Sequence, residues 1–211
     1  MIFAHGEHFT AGLDLVELQP KLTAGVFDFP ASQINPWGTS SRPRTKPVVV
    51  AVQGFCFTAG IELMLNADVV IADANTQFAQ MEVQRGILPF GGATVRFVQA
   101  AGWNKAMRYL LTGDSFNAQV ALDLNLITEV VEASTPNAAL ERALSLAESI
   151  AQAAPLAVQA TLASAQQAVQ HGADYAFAHL QEHLSPLLKT QDVQEGVMAM
   201  LQRRPAQFKG Q

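Results

Sequence analysis

An α/β fold is what this sequence predicts, and three observations predict it. Short β-branched runs such as "PVVVAVQG" and "DVVIA" alternate with helical text in the first half. The second half reads as helix almost throughout, and Gly or Pro marks the changes of period.

Taken in order, "MIFAHGEHFTAGLDL" reads as an apolar strand, a turn over "HGEHFTAG", and a helix start with Asp14 near its first turn. Residues 19–46 hold four prolines with Ser, Thr and Gly, a long surface segment expected to be mobile and of the kind that lines binding sites. "PVVVAVQG" is a buried-type strand closed by Gly54, and a helix follows near Gly60. "DVVIA" and "TQFAQMEV" read as two more extended pieces. "GGATVRFVQAAG" and "WNKAMRYLLTG" predict short helices stopped by Gly102 and Gly113. "NAQVALDLNLITEVVE" reads as a helix feeding a strand. Thr135-Pro136 then opens an amphipathic helix with Leu140, Ala143, Leu144, Ala147, Ile150 and Ala151 on one face. Another helix follows Pro155, and helical text runs to Arg204. These boundaries predict a core over 1–135 and a helical region over 136–211.

Composition narrows the function classes. Of 211 residues, 49% are hydrophobic and only 15% charged, which predicts a large core and a buried subunit interface. A net charge of −5 argues against a nucleic-acid partner. Cys56 is the one cysteine, so no intramolecular disulfide forms and a reducing compartment is expected. "MIFAHGEHF" lacks the basic lead and apolar stretch of a secretory signal, and the longest apolar run is broken by Gln53 and Gly54. A soluble, cytoplasmic protein is the expectation.

The chemistry concentrates at "GFCFTAGIELMLNADVVIA". Glu62 follows Ala59-Gly60 at a strand-to-helix turn, where the amides of Thr58 to Ile61 lack intrahelical partners and positive dipole collects. An ordinary reading has Glu62 complementing that dipole, a contribution of about 0.3–1 kcal/mol. "HFTAGLDL" repeats the layout with Ala11-Gly12, however, and two such turns are what a two-donor oxyanion hole requires. "FAQMEVQRGILPFGGA" adds Glu82 in equally apolar company. Buried carboxylates without partners are costly, so a pair in dry text points to acid–base work, with one acid to take a proton and one to give it. Sharing a site would split their titrations.

Other constellations carry less. "HLQEH" places His179 and His183 one helical turn apart in a zinc-like spacing, yet it reads as polar helix surface, and no metal is expected. Cys56 follows a strand and reads as a buried thiol. "GDSFNA" lacks the second Gly of a nucleophile elbow. "PFGGATVRF" has no P-loop Lys and reads as a helix start lining the pocket near Glu82, with Phe90 either shaping an acyl site or packing as an ordinary core residue.

Together, "HFTAGLDL", "KPVVVAVQGFCFTAGIELMLNADVVIA", "TQFAQMEVQRGILPFGGATVRF" and "EGVMAMLQRRPAQFKG" resemble the crotonase, or enoyl-CoA hydratase/isomerase, superfamily along the whole chain. The resemblance implies a spiral of ββα turns followed by a helical oligomerisation region. It also implies an acyl-CoA substrate with no separate cofactor, and a trimer or dimer of trimers. By the same resemblance Leu13 and Ala59 supply the two oxyanion amides. Ala11, Gly12, Asp14, Leu15, Gly60 and Phe90 line the substrate, and Lys209 is a candidate contact to CoA phosphate. Glu62 would orient and deprotonate water, and Glu82 would deliver a proton to the α-carbon. Two departures stand out. Thr58-Ala59-Gly60 replaces the family's triple glycine, and Met1 falls inside the strand leading to the first oxyanion turn. The first turn of the spiral is therefore expected to be missing, leaving association-prone sheet edges. Hydration of a 2-enoyl-CoA is the favoured activity. The alternatives are a double-bond isomerase needing one carboxylate and a non-catalytic binding or assembly protein of the same fold.

Overall fold

In the computed structural model of the chain, which describes residues 1–25, 29–40, 42–135 and 137–211, the run after Pro47 forms β1 (Val49–Val52), buried along its whole length. After a bend at Gly54 the chain enters β2 (Phe55–Phe57), then α2 (Ala59–Leu65), and returns through β3 (Val69–Asp73) and β4 (Gln77–Ala79). β3 lies parallel to β1, with Val50 opposite Val70, and β4 lies parallel to β2, with Cys56 opposite Phe78. Each circuit thus contributes one strand to each of two sheets. The opening residues trace the same path: Ile2 bridges Val50 and Thr10 bridges Cys56. β6 (Glu129–Val131) closes the first sheet in parallel beside β3. β5 (Ser115–Asn117) closes the second antiparallel to β4. Parallel strands need such crossovers, and burial on both faces explains the apolar text of β1 and β3.

This is the predicted α/β class. Two strands escaped the sequence reading. β2 and β5 are three residues each, too short to show a period, and Gly54 imitates a strand end where it marks a change of sheet. Cys56 accordingly lies within a strand rather than after one. The expected opening strand is reduced to the isolated bridges at Ile2 and Thr10. "TQFAQMEV" is extended only to Ala79, and Glu82–Arg85 form a 3-10 turn.

The helices follow their signals. Asp14 caps α1 (Leu15–Thr23), its Oδ1 accepting the Val16 and Glu17 amides at 2.9 and 3.2 Å. Gly102 separates α3 (Ala93–Ala101) from α4 (Trp103–Leu110), and Asn117 caps α5 (Ala118–Asp123). Val50, Val52, Ile61, Met64, Phe78, Phe97 and Phe116 form the centre of the core between the sheets and these helices. α6 (Ala138–Gln152) appears where periodicity placed it; Pro136, named as its opening signal, lies outside the described residues.

Two compact units divide the chain: Met1–Pro43 with Val48–Leu144, and Arg44–Pro47 with Ser145–Gln211. The second contains α7 (Pro155–His171), which begins at its proline, α8 (Ala173–Leu187) and α9 (Gln191–Gln202). Buried Asp192 ties its C-terminal residues down, accepting the Lys209 and Gly210 amides at 2.8 Å each. Among the described residues no helix is long and apolar enough to cross a membrane.

Candidate active site

The end of β2 turns sharply into α2. Thr58 takes φ 50°, a value rare for a β-branched residue, and its amide donates to Ala79 O of β4 at 2.9 Å. One of the amides expected to be open is therefore used by the sheet. The next, Ala59, donates to no acceptor among the described residues. The same holds for the Leu13 amide at the preceding turn, where Gly12 N–H is taken by Thr10 Oγ1 at 3.1 Å.

Glu62 lies in the first turn of α2 and is 2% exposed. Its Oε1 accepts the Ala93 amide, the first residue of α3, at 3.0 Å. The "GGAT" helix start therefore serves Glu62. Burial pushes the Glu62 carboxyl up to about 7. The Ala93 and Gly91 amides and the Arg96 charge pull it down, while Glu82 pushes it further up.

Glu82 opens the 3-10 turn after β4 and is also buried. Gln80 Nε2 donates to its Oε1 at 2.8 Å. The other oxygen, Oε2, is buried with no partner among the described residues, as is Gln80 Oε1. Burial again raises this carboxyl above the ordinary range; its own turn's backbone and the Gln80 amide oppose that.

Both carboxylates line one cavity of about 130 Å³, together with Ala11, Leu13, Leu15, Ala59 and Phe90. A second cavity of about 200 Å³ shares Leu13, Ala59, Glu62 and Phe90 and extends to Phe29, Asn35 and Trp37 of the 19–46 segment. The slot thus offers two amides that no described residue claims and two buried carboxyls, one raised to about 7 and the other raised above its ordinary value. That arrangement can polarise a carbonyl while moving protons on and off neighbouring atoms.

Of the remaining sequence-predicted residues, Gly12 and Gly60 shape the turns without lining either cavity. A Cβ on Gly60 would stand 2.5 Å from Thr10 Cγ2. The Asp14 carboxylate caps α1, and Lys209 belongs to the second unit, its amide on Asp192. The Cys56 thiol is fully buried and pushed up by burial, an unreactive state. His179 Nδ1 meets Tyr175 O, and His183 Nε2 meets Gln167 Oε1.

Sequence reasoning passed over Gln80, Arg85, Ala93, Trp37 and Arg96. Arg85 lines the first cavity; Trp37 and Arg96 brace the second. The double glycine before Ala93 was the one visible signal for them. A Cβ at Gly91 would stand 2.6 Å from Glu62 Oε2.

Comparison with known proteins agrees with this fold. The enoyl-CoA hydratase/isomerase family model matches residues 2–211, and the chain belongs to that family. It is 33% identical over 210 residues to a 2,3-dehydroadipyl-CoA hydratase of Escherichia coli (strain K12), covering all of this chain and 80% of that one. A solved probable enoyl-CoA hydratase/isomerase from Mycobacterium abscessus superposes with a TM-score of 0.94 at 44% identity, covering 99% of this chain and 80% of the other. An enoyl-CoA hydratase from Mycobacterium tuberculosis H37Rv gives 0.81 at 33% identity, covering 98% and 79%.

Proposed function

We propose that this family member is an enoyl-CoA hydratase that adds water across the double bond of a 2-enoyl-CoA, with Glu62 and Glu82 as its catalytic acids and bases. The carrying observation is the convergence of both carboxylates on one cavity beside the Leu13 and Ala59 amides, which no described residue claims.

The thioester oxygen sits between those two amides. Ionised Glu62 takes a proton from water as the water oxygen bonds to C3. The π electrons move onto the thioester as an enolate, whose oxygen the amides stabilise; loss of one such donor typically costs about 2.7–4 kcal/mol. Protonated Glu82 then gives its proton to C2, and the 3-hydroxyacyl-CoA leaves. The proton left on Glu62 and the charge left on Glu82 reset by exchange with solvent. Burial raises both carboxyls, Glu62 to about 7, which brings proton exchange at this pair toward neutral pH. Presence of both acids favours hydration over isomerisation, which needs one.

CoA enters as part of the substrate, and no further cofactor is called on. We also propose a homo-oligomer, a trimer or a dimer of trimers, in the cytoplasm. Supporting the oligomer are apolar side chains exposed on α8 and α9: Phe177, Met200 and Leu201 are each more than half exposed.

The test is incubation with crotonyl-CoA in isotopically labelled water. The proposal expects loss of enoyl absorbance and a 3-hydroxyacyl product with solvent oxygen at C3. Double-bond migration in a 3-enoyl-CoA without hydration of the 2-enoyl isomer would overturn it.

A further inference from the structure

We propose that Arg96 is a positioning residue for Glu62 and the Ala59 turn, acting through Trp37; the claim about turnover rests on the hydratase reading above.

Arg96 stands on α3, three residues after the amide that holds Glu62. Its Nη1 donates to Trp37 O at 2.7 Å and makes a longer contact to Gly91 O at 3.5 Å, while Nη2 donates to Gly38 O at 3.0 Å. The Trp37 indole N–H donates in turn to Ala59 O at 2.9 Å, on the peptide directly after the proposed oxyanion donor. Asn35 Oδ1 accepts the Trp37 amide at 2.9 Å, and Asn66 at the end of α2 donates to Pro36 O at 2.9 Å. A continuous set of hydrogen bonds therefore runs from α3 through residues 35–38 to both ends of α2, the helix that carries Glu62.

Glycines make room for it. A Cβ on Gly91 would stand 2.6 Å from Glu62 Oε2 and 2.9 Å from Trp37 Cδ1; one on Gly92 would stand 2.5 Å from Arg96 Nη1. Such contacts are closer than packed atoms tolerate, so both positions are committed to this brace. A planar fork that reaches several carbonyls at once suits arginine and not lysine.

Charge is the second part. Glu62 is faced by Glu82 and Arg85 from the 3-10 turn, which share its cavity, and by Arg96 from α3. Residues 35–39 bring only uncharged side chains, Asn35, Trp37 and Thr39, to the second cavity. Arg96 opposes burial and Glu82 at Glu62, adding to the larger downward pull of the Ala93 and Gly91 amides.

Three variants test this: Arg96→Gln, Arg96→Lys and Trp37→Phe, each checked by thermal melting. The substrate-free readout is the Glu62 carboxyl titration by ¹³C NMR, assigned by its loss in Glu62→Gln. It should move to higher pH in Arg96→Gln and stay near wild type in Arg96→Lys and Trp37→Phe. The second readout is crotonyl-CoA hydration, where kcat should fall roughly tenfold to a hundredfold in Arg96→Gln and Trp37→Phe, with Arg96→Lys only partly restored. A folded Arg96→Gln with wild-type titration and wild-type kcat overturns the proposal. Should Arg96→Gln fail to fold, Trp37→Phe decides: an unchanged kcat overturns the path through Trp37. If the wild type hydrates nothing but the Glu62 titration still rises in Arg96→Gln, the positioning of Glu62 stands and the hydratase reading falls.

Discussion

Gly12 and Thr58 touch where two successive circuits of the chain stack: a Cβ on Gly12 would overlap the Thr58 hydroxyl oxygen. Both residues carry positive φ, 109° and 50°, and each immediately precedes one of the two open amides. The contact sets the spacing between those donors. Gly12→Ala should force the turns apart and impose a left-handed conformation on alanine, costing about 1–3 kcal/mol of stability. Urea unfolding reads the first effect. Crotonyl-CoA hydration should fall more steeply than the lost stability explains, because both donors shift.

Glu62 makes stability depend on pH with a definite sign. Its carboxyl sits at about 7 in the folded chain against an ordinary 4.5, so the folded state binds this proton more tightly than the unfolded state. The contribution is fully favourable below the ordinary value and is lost as pH rises toward 7, up to about 3 kcal/mol. Glu62→Gln keeps an acceptor for the Ala93 amide and removes the titration. Melting curves should show the variant more stable than wild type at pH 8, with the gap closing near pH 5. Equal gaps at both values would remove Glu62 as the group responsible.

The same ionisation governs rate. If Glu62 must be deprotonated to take the water proton, kcat/KM for hydration should climb through an acid limb near pH 7. Arg96→Gln should carry that acid limb upward. An acid limb that ignores both Arg96 and Glu82 substitutions would assign it to another group.

Gln80 holds one Glu82 oxygen and leaves the other open to the reaction. Glu82→Gln should therefore lower hydration by roughly a hundredfold to ten-thousandfold, the usual contribution of a general acid, while acyl-CoA binding by calorimetry changes little. Loss of binding in step with rate would make Glu82 a structural residue.

Much of this was legible in the text. β1 and β3 announced themselves because strands buried on both faces are continuously apolar, and α6 because its stripe repeats at helical spacing. Glu62 and Glu82 stood out as acids in dry surroundings. β2 and β5 did not, since three residues show no period. Trp37 and Arg96 were hidden for a different reason. Arg96 reaches carbonyls 59 and 58 residues away in sequence and Trp37 one 22 residues away, which only the folded chain brings together. Gly91-Gly92 recorded that crowding, but a glycine pair in text does not say what crowds it.

The most direct test of the two-acid account compares crotonyl-CoA hydration by wild type, Glu62→Gln, Glu82→Gln and the double variant. Groups acting as one unit are strongly non-additive, so each single change should nearly abolish turnover and the double should be little worse than either. Wild-type-like hydration in either single variant, with the fold intact, would contradict it.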